Sequence, residues 1–180
     1  MKSVRVKIEG TSPYLMHKYA GIDDGSAEQR SKTHIGAPDY SKEADKALYK
    51  TPEGVIYVPA AQIEGAMIKS AANEKIPGRR GKTYKDLLKA FVFVEPDAVP
   101  MNPQKWESDI RAVVVQRNRV VRYRPKFDKW SLEFTLAIHE DEQVPAEVVQ
   151  KILVAAGQFV GIGDYRPRYG RFRVSKFEVV

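Results

Sequence analysis

A chain of 180 residues, 43% of them apolar, is long enough for one domain with a real core, and no apolar run approaches the roughly 20 residues that span a bilayer. The absence of cysteine excludes disulfides, thiolate metal sites and cysteine nucleophiles, and the three histidines, His17, His34 and His139, lie too far apart to suggest a metal-ligand set. The net charge of +7 is clustered, with seven basic residues against one acidic from Arg111 to Lys129 and five against one from Gly163 to Lys176, which suits a polyanion partner better than a membrane surface.

The N-terminus lacks the apolar stretch of a signal peptide, so a cytoplasmic protein is expected. In "VRVKIEG", Val4, Val6 and Ile8 alternate with Arg5, Lys7 and Glu9, the period of a half-buried strand. "TSPYLMH" ends it, and Tyr14, Leu15 and Met16 are expected to be exposed unless something covers them. Residues 17–50 are polar and aperiodic, an insertion too long for a plain connection. After the short extended piece "GVIYVP", the segment "AAQIEGAMIKSAANEKI" places Ile63, Met67 and Ala71 on one helical face beside Ala60 and Ala66. Gly65 interrupts this helix at a cost of roughly 1 kcal/mol relative to alanine, so a close backbone contact is expected there.

"PGRRGK" breaks the helix, "YKDLLKAF" makes a helical turn, and the prolines of 95–108 suggest a second insertion, placed at about 77–108. "IRAVVVQRNRVVRYRP" is strand-like with basic residues at its end. "KWSLEFTLAI" is the clearest strand, with Trp130, Leu132, Phe134, Leu136 and Ile138 alternating with Ser131, Glu133, Thr135 and Ala137. A second helix opens at Pro145 and carries the stripe Val148, Val149, Ile152, Leu153, Ala156, Phe159 and Val160. "RFRVSKFEVV" is the last strand. The order strand, helix, strand, strand, helix, strand predicts an α+β, ferredoxin-like or RNA-recognition-motif-like domain over residues 1–180. Two helices would cover one face of an antiparallel sheet, with two insertions added.

Between the second helix and the last strand lies "GIGDYRPRYGRFRV". A dinucleotide-binding or P-loop reading fails, because those motifs need a helix after the glycines and here the helix comes first. Gly161 or Gly163 suits the end of the helix. Arg166, Arg168 and Arg171 suit phosphate, and Tyr165 and Tyr169 suit stacking on bases. The other candidate nucleic-acid-binding residues are Lys69, Arg122, Arg124 and Lys126. At strand spacing Arg122 and Arg124 share one face, and Arg117 and Arg119 the other.

"TPEGVIYVPAAQIEGAMIKSA" resembles the segment that opens the first helix in the RAMP superfamily, the repeat-associated proteins of CRISPR systems. The resembling residues are Val58, Pro59, Ala60, Ala61, Gln62, Ile63, Glu64 and Gly65, with Lys69 as the later base. The family's usual lysine before glycine is Glu64 here, and its serines are Ala60 and Ala61. "GIGDYRPRYGRFRV" is similar to that superfamily's glycine-rich loop, in the same place. The resemblance implies single-stranded RNA bound through the sheet face and loop, in a small backbone-type subunit that coats a guide RNA with copies of itself or related subunits. No cofactor, metal or membrane partner is expected. Two alternatives stay open. One is a free-standing single-strand binder of phage or plasmid origin. The other is a RAMP-type endoribonuclease, for which Asp39, Asp45 and His34 are weak candidates.

Overall fold

The computed structural model describes residues 1–18, 44–115, 117–139 and 142–180, excepting the side chains at 113–115 and 118–120. Its central sheet contains β1 (Lys2–Gly10), β8 (Ser131–Ile138) and β9 (Phe172–Val179), with β1 in the middle. Both pairings of β1 are antiparallel, Val6 standing opposite Phe134 on β8 and Phe177 on β9. The other side of β8 is shared by two short strands. β4 (Val92–Glu95) pairs with its C-terminal half and β5 (Ala98–Asn102) with its N-terminal end. β3 (Tyr57–Pro59) closes the edge on β5. α1 (Ala60–Ala71) runs between β1 and β4, and α3 (Ala146–Ala155) between β8 and β9, with the short α2 (Lys85–Phe91) before β4. Strand order β9-β1-β8-β4 with two such crossovers is the ferredoxin-like arrangement, so the α+β class read from element order holds.

Period-2 and period-3.6 patterning explain most of this. Val4, Val6 and Ile8 are buried against the helices, as are Leu132, Phe134 and Leu136 on β8. From α1 come Ile63, Met67 and Ala71, and from α3 Val149, Ile152 and Leu153. Each of these side chains larger than alanine contributes about 1.5–3 kcal/mol by leaving water. The stripe of the second helix departs from expectation at one residue. Ala156–Val160 winds as a π-turn, and Phe159 is 73% exposed instead of packing inward. A π-turn takes about 4.4 residues per revolution, so Val160 follows Ala156 into the core and Phe159 is carried off that face. The cause is local. A Cβ on Gly157 would stand 2.3 Å from the carbonyl oxygen of Phe172, so turn and strand touch through backbone.

The run at 110–125 forms the two arms of a hairpin, β6 (Glu107–Val115) and β7 (Asn118–Phe127). They join β2 (Tyr14–Leu15) in a separate sheet of order β2-β7-β6. Here "YLM" finds the cover that the expectation of exposure left open. Tyr14, Leu15 and Met16 are all fully buried, because β2 pairs Tyr14 with Phe127 and Leu15 with Lys126. Tyr14 packs its ring 6.0 Å from Phe127 and 5.5 Å from Trp130, and its hydroxyl donates to Gln62 Oε1 at 2.8 Å. The partner strand lies more than a hundred residues away in sequence, so no local pattern announces it.

This aromatic cluster joins the two sheets, and it sets an expected ranking of stabilities. Phe127→Ala should lower the unfolding free energy by about 3–5 kcal/mol, whereas Tyr14→Phe, which loses only the bond to Gln62, should lower it by about 1 kcal/mol. Urea denaturation of both variants measures the difference, and equal losses would contradict a packed junction.

Candidate nucleic-acid interface

The glycine loop starts where the π-turn stops. Gly161 ends the turn, its N–H donating to Ala156 O at 2.8 Å. Ile162 N then donates to Gly170 O at 2.9 Å, which closes residues 162–170 at their base. Two further bonds hang the loop on the β2 segment: Asp164 N to Leu15 O at 3.0 Å and Gly170 N to Pro13 O at 2.7 Å. Side chains could not fit at these contacts. A Cβ on Gly163 would lie 2.6 Å from Leu15 O, and one on Gly170 would lie 1.7 Å from Ile162 O. Both glycines also have left-handed backbone, φ +79° and +74°.

The hairpin supplies the other wall. Its register places Asp109 opposite Arg124 and Arg111 opposite Arg122, so these residues share a face. Arg111 lies 5.1 Å over the Tyr165 ring and 4.7 Å over the Tyr169 ring, and its guanidinium donates to the Tyr169 hydroxyl. Asp109 accepts from the same guanidinium and holds Arg111 firmly charged. Arg124 is 9% exposed, with its guanidinium 5.4 Å over the Tyr165 ring and Nη1 3.0 Å from Asp164 Oδ2. That contact lacks hydrogen-bond alignment, and Arg124 Nε also has no hydrogen-bond partner, so charge attraction holds the pair. These contacts keep Tyr165 in left-handed backbone, φ 57°, a rare state for an aromatic residue. Asp164 Oδ1 accepts from Tyr165 N at 3.0 Å, and His17 Nδ1 stands 3.6 Å from Oδ2. His17, together with the Arg124 charge, holds the Asp164 carboxyl below the usual carboxylate range despite its partial burial.

The sequence-predicted residues divide accordingly. Arg166 and Arg168 are exposed at the loop tip, and Arg171 is exposed just past its base. Arg122 is exposed on the hairpin, whereas Arg124 is buried and Lys126 lies 3.2 Å from Asp128. Tyr165 and Tyr169 each carry a guanidinium on the ring. Arg111, absent from the sequence-derived candidates, is the residue that joins loop to hairpin. Its alternation with Asp109 was the available signal. Asp45 pairs with Lys50 at 2.6 Å, while His34 and Asp39 lie outside the described residues.

Between the loop and α1 lies an open cavity of about 480 Å³, lined by His17, Gln62, Gly65, Gly163, Asp164 and Arg166 among others. Ala61, Gly65 and Lys69 stand one helical turn apart and share the α1 face beside it. Here the expected close contact at Gly65 is not found: a Cβ added there would meet nothing within 4 Å. Glu64, where the resembling family has lysine, accepts from Val94 N at 2.9 Å and so serves strand β4.

On the sheet face away from the helices, charges cancel. Lys7 pairs with Glu133 at 2.8 Å, Arg173 with Glu9 at 2.6 Å and Lys176 with Glu178 at 2.9 Å. Phe93 on the same face is 41% exposed and meets His139 edge-on.

Fold and site together define a ferredoxin-like domain with a pinned, arginine-tipped loop. No protein-family model matches the chain, and no curated protein matches it. In structure it is similar to a chain in a cryo-EM structure of the Type III-B Cmr-beta bound to cognate target RNA, at a TM-score of 0.64 and 12% identity. The likeness covers 99% of this chain and 60% of that one, so this chain spans less than two thirds of its neighbour's length. At that identity the likeness is one of fold. Among the described residues no helix is long and apolar enough to cross a membrane.

The Asp164 carboxyl, held down by His17 and then by Arg124, has a pH signature. A carboxyl held below its ordinary value contributes stability above its unfolded pKa of about 3.9 and loses it as pH falls through the lower folded value. Asp164→Asn should therefore cost about 1–3 kcal/mol at pH 7 by stranding a buried guanidinium, and the cost should shrink toward pH 3. Unfolding midpoints at both pH values check it, and a pH-independent penalty would contradict the assignment.

Proposed function

We propose that the chain is an RNA-binding subunit of a CRISPR effector complex, of the backbone type, which holds single-stranded guide RNA between the glycine loop and α1. The observation that carries this reading is the unpacked Gly65 on the wall of the cavity that Arg166 also lines. A helix-interior glycine with no packing reason leaves room for a ligand backbone to approach, and an arginine beside it suits a phosphate. The RNA-bound Cmr-beta neighbour supports the partner. The paired charges of the sheet face favour the loop over the sheet as the contact surface.

Gly65→Ala should raise stability by about 0.5–1 kcal/mol, while Gly65→Leu should leave folding intact and reduce affinity for single-stranded RNA at least tenfold. Arg166→Ala with Arg168→Ala should flatten the slope of log K against log salt by up to about 1.4, at about 0.7 per phosphate on single strands. Fluorescence anisotropy with a labelled oligonucleotide reads both. RNA binding unaffected by all of these changes would refute the proposal.

Backbone copies need a contact surface, and the outward face of the hairpin offers one. Ile110 and Ala112 stand opposite Tyr123 and Val121, with Ile110 61% and Val121 47% exposed. Ile110→Lys with Val121→Lys should abolish cooperative assembly on long RNA and leave single-copy binding unchanged. Sedimentation with RNA of increasing length would show this. Undiminished cooperativity would place the contact elsewhere.

A further inference from the structure

The π-turn exposes Phe159 beside a second groove of about 420 Å³, between Ala156–Val160 and the edge strand β9. We propose that this groove is a separate nucleotide subsite for single-stranded RNA, with the base stacked on Phe159 and its phosphate on Arg171. The inference rests on the RNA reading above and adds a contact outside the loop and the α1 face.

Three observations carry it. First, Phe159 is 73% exposed, the most exposed aromatic ring among the described residues, in a turn whose winding takes it off the core face. π-turns of this kind occur often at functional sites. Second, the groove suits a base. Val154 and Val174 provide apolar lining, Gln158 a side-chain amide, and Arg171 and Arg173 positive charge, with no acidic residue in the lining. Glu9 already holds the Arg173 guanidinium at 2.6 and 3.0 Å, which leaves Arg171 to meet an anion. Third, Arg171 is fixed in place. Its N–H donates to Ser12 Oγ at 2.9 Å and its carbonyl accepts from Thr11 N at 2.8 Å. It follows Gly170 directly, so the subsite begins where the loop ends. An exposed ring with a neighbouring arginine, the nearby Glu9 carboxylate being taken up by Arg173, matches an unpaired nucleotide.

The test compares Phe159→Ala, Arg171→Ala and Phe159→Trp with the wild-type chain, using labelled single-stranded oligouridylate. Phe159→Ala should weaken binding by about one to two orders of magnitude while leaving the salt slope unchanged, since stacking releases no counterions. Arg171→Ala should weaken binding and reduce the slope by about 0.7. Indole emission of the Phe159→Trp variant should be quenched by the oligonucleotide beyond any change in the wild type. All three variants should keep the wild-type melting temperature. Wild-type affinity in Phe159→Ala, with no added quenching in Phe159→Trp, would overturn the subsite while leaving the loop reading in place, provided Arg166→Ala still weakens binding. Loss of self-association instead of RNA affinity in Phe159→Ala would make the groove a protein contact and overturn the proposal. If the wild-type chain binds no RNA, both readings fall.

Discussion

The arrangement of the site depends on one constraint, the backbone-to-backbone seating of Pro13–Met16 between the glycine loop and β7. Pro13 and Leu15 offer carbonyls to Gly170 and Asp164, and Met16 N–H bonds Pro125 on the other side. A side chain is excluded from this seam at Gly163, where a Cβ would come within 3 Å of Tyr14 and Leu15. The loop, the strand under it and the hairpin are thereby brought within reach of one another. Arg111 can then lie over Tyr165 and Tyr169, and Arg124 can be buried beside Asp164. Without the seam, each of these cations would be a solvated arginine on a free hairpin.

The distribution of charge follows from this geometry. On the open sheet face, cross-strand neighbours neutralise one another within the pleat, as Lys7 and Glu133 do. At the loop, most of the interior charge is consumed in holding the site: Asp109 on Arg111, and Asp164 on Arg124. Arg166 and Arg168 stand outside that network at the tip. A chain with net charge +7 thus directs part of its excess into a small region, although basic residues occur along much of the sequence.

What could be read from the sequence was whatever repeats locally. Alternation marked β1 and β8, and the 3.6-residue period marked α1 and most of the second helix. Element order then sufficed for the ferredoxin-like class. The loop itself was conspicuous by composition. Features set by distant partners were not readable. Tyr14 and Leu15 look exposed until β7 pairs with them, and Arg124 looks like a ligand residue until Asp164 is placed against it. Phe159 was misread for a different reason: the period changed within one helix, where Ala156–Val160 winds as a π-turn. Gly65 was noticed correctly as anomalous, but the space beside it is open instead of filled by protein.

The loop's framework and its outward tip are different residues. Gly163, Asp164, Tyr169 and Gly170 hold the conformation, while Arg166 and Arg168 extend from it into solvent and contribute little to its folding. Substitutions at the tip are therefore tolerated by the scaffold, and those at the framework are not. Over evolutionary time these two positions can change while the architecture that presents them stays as it is.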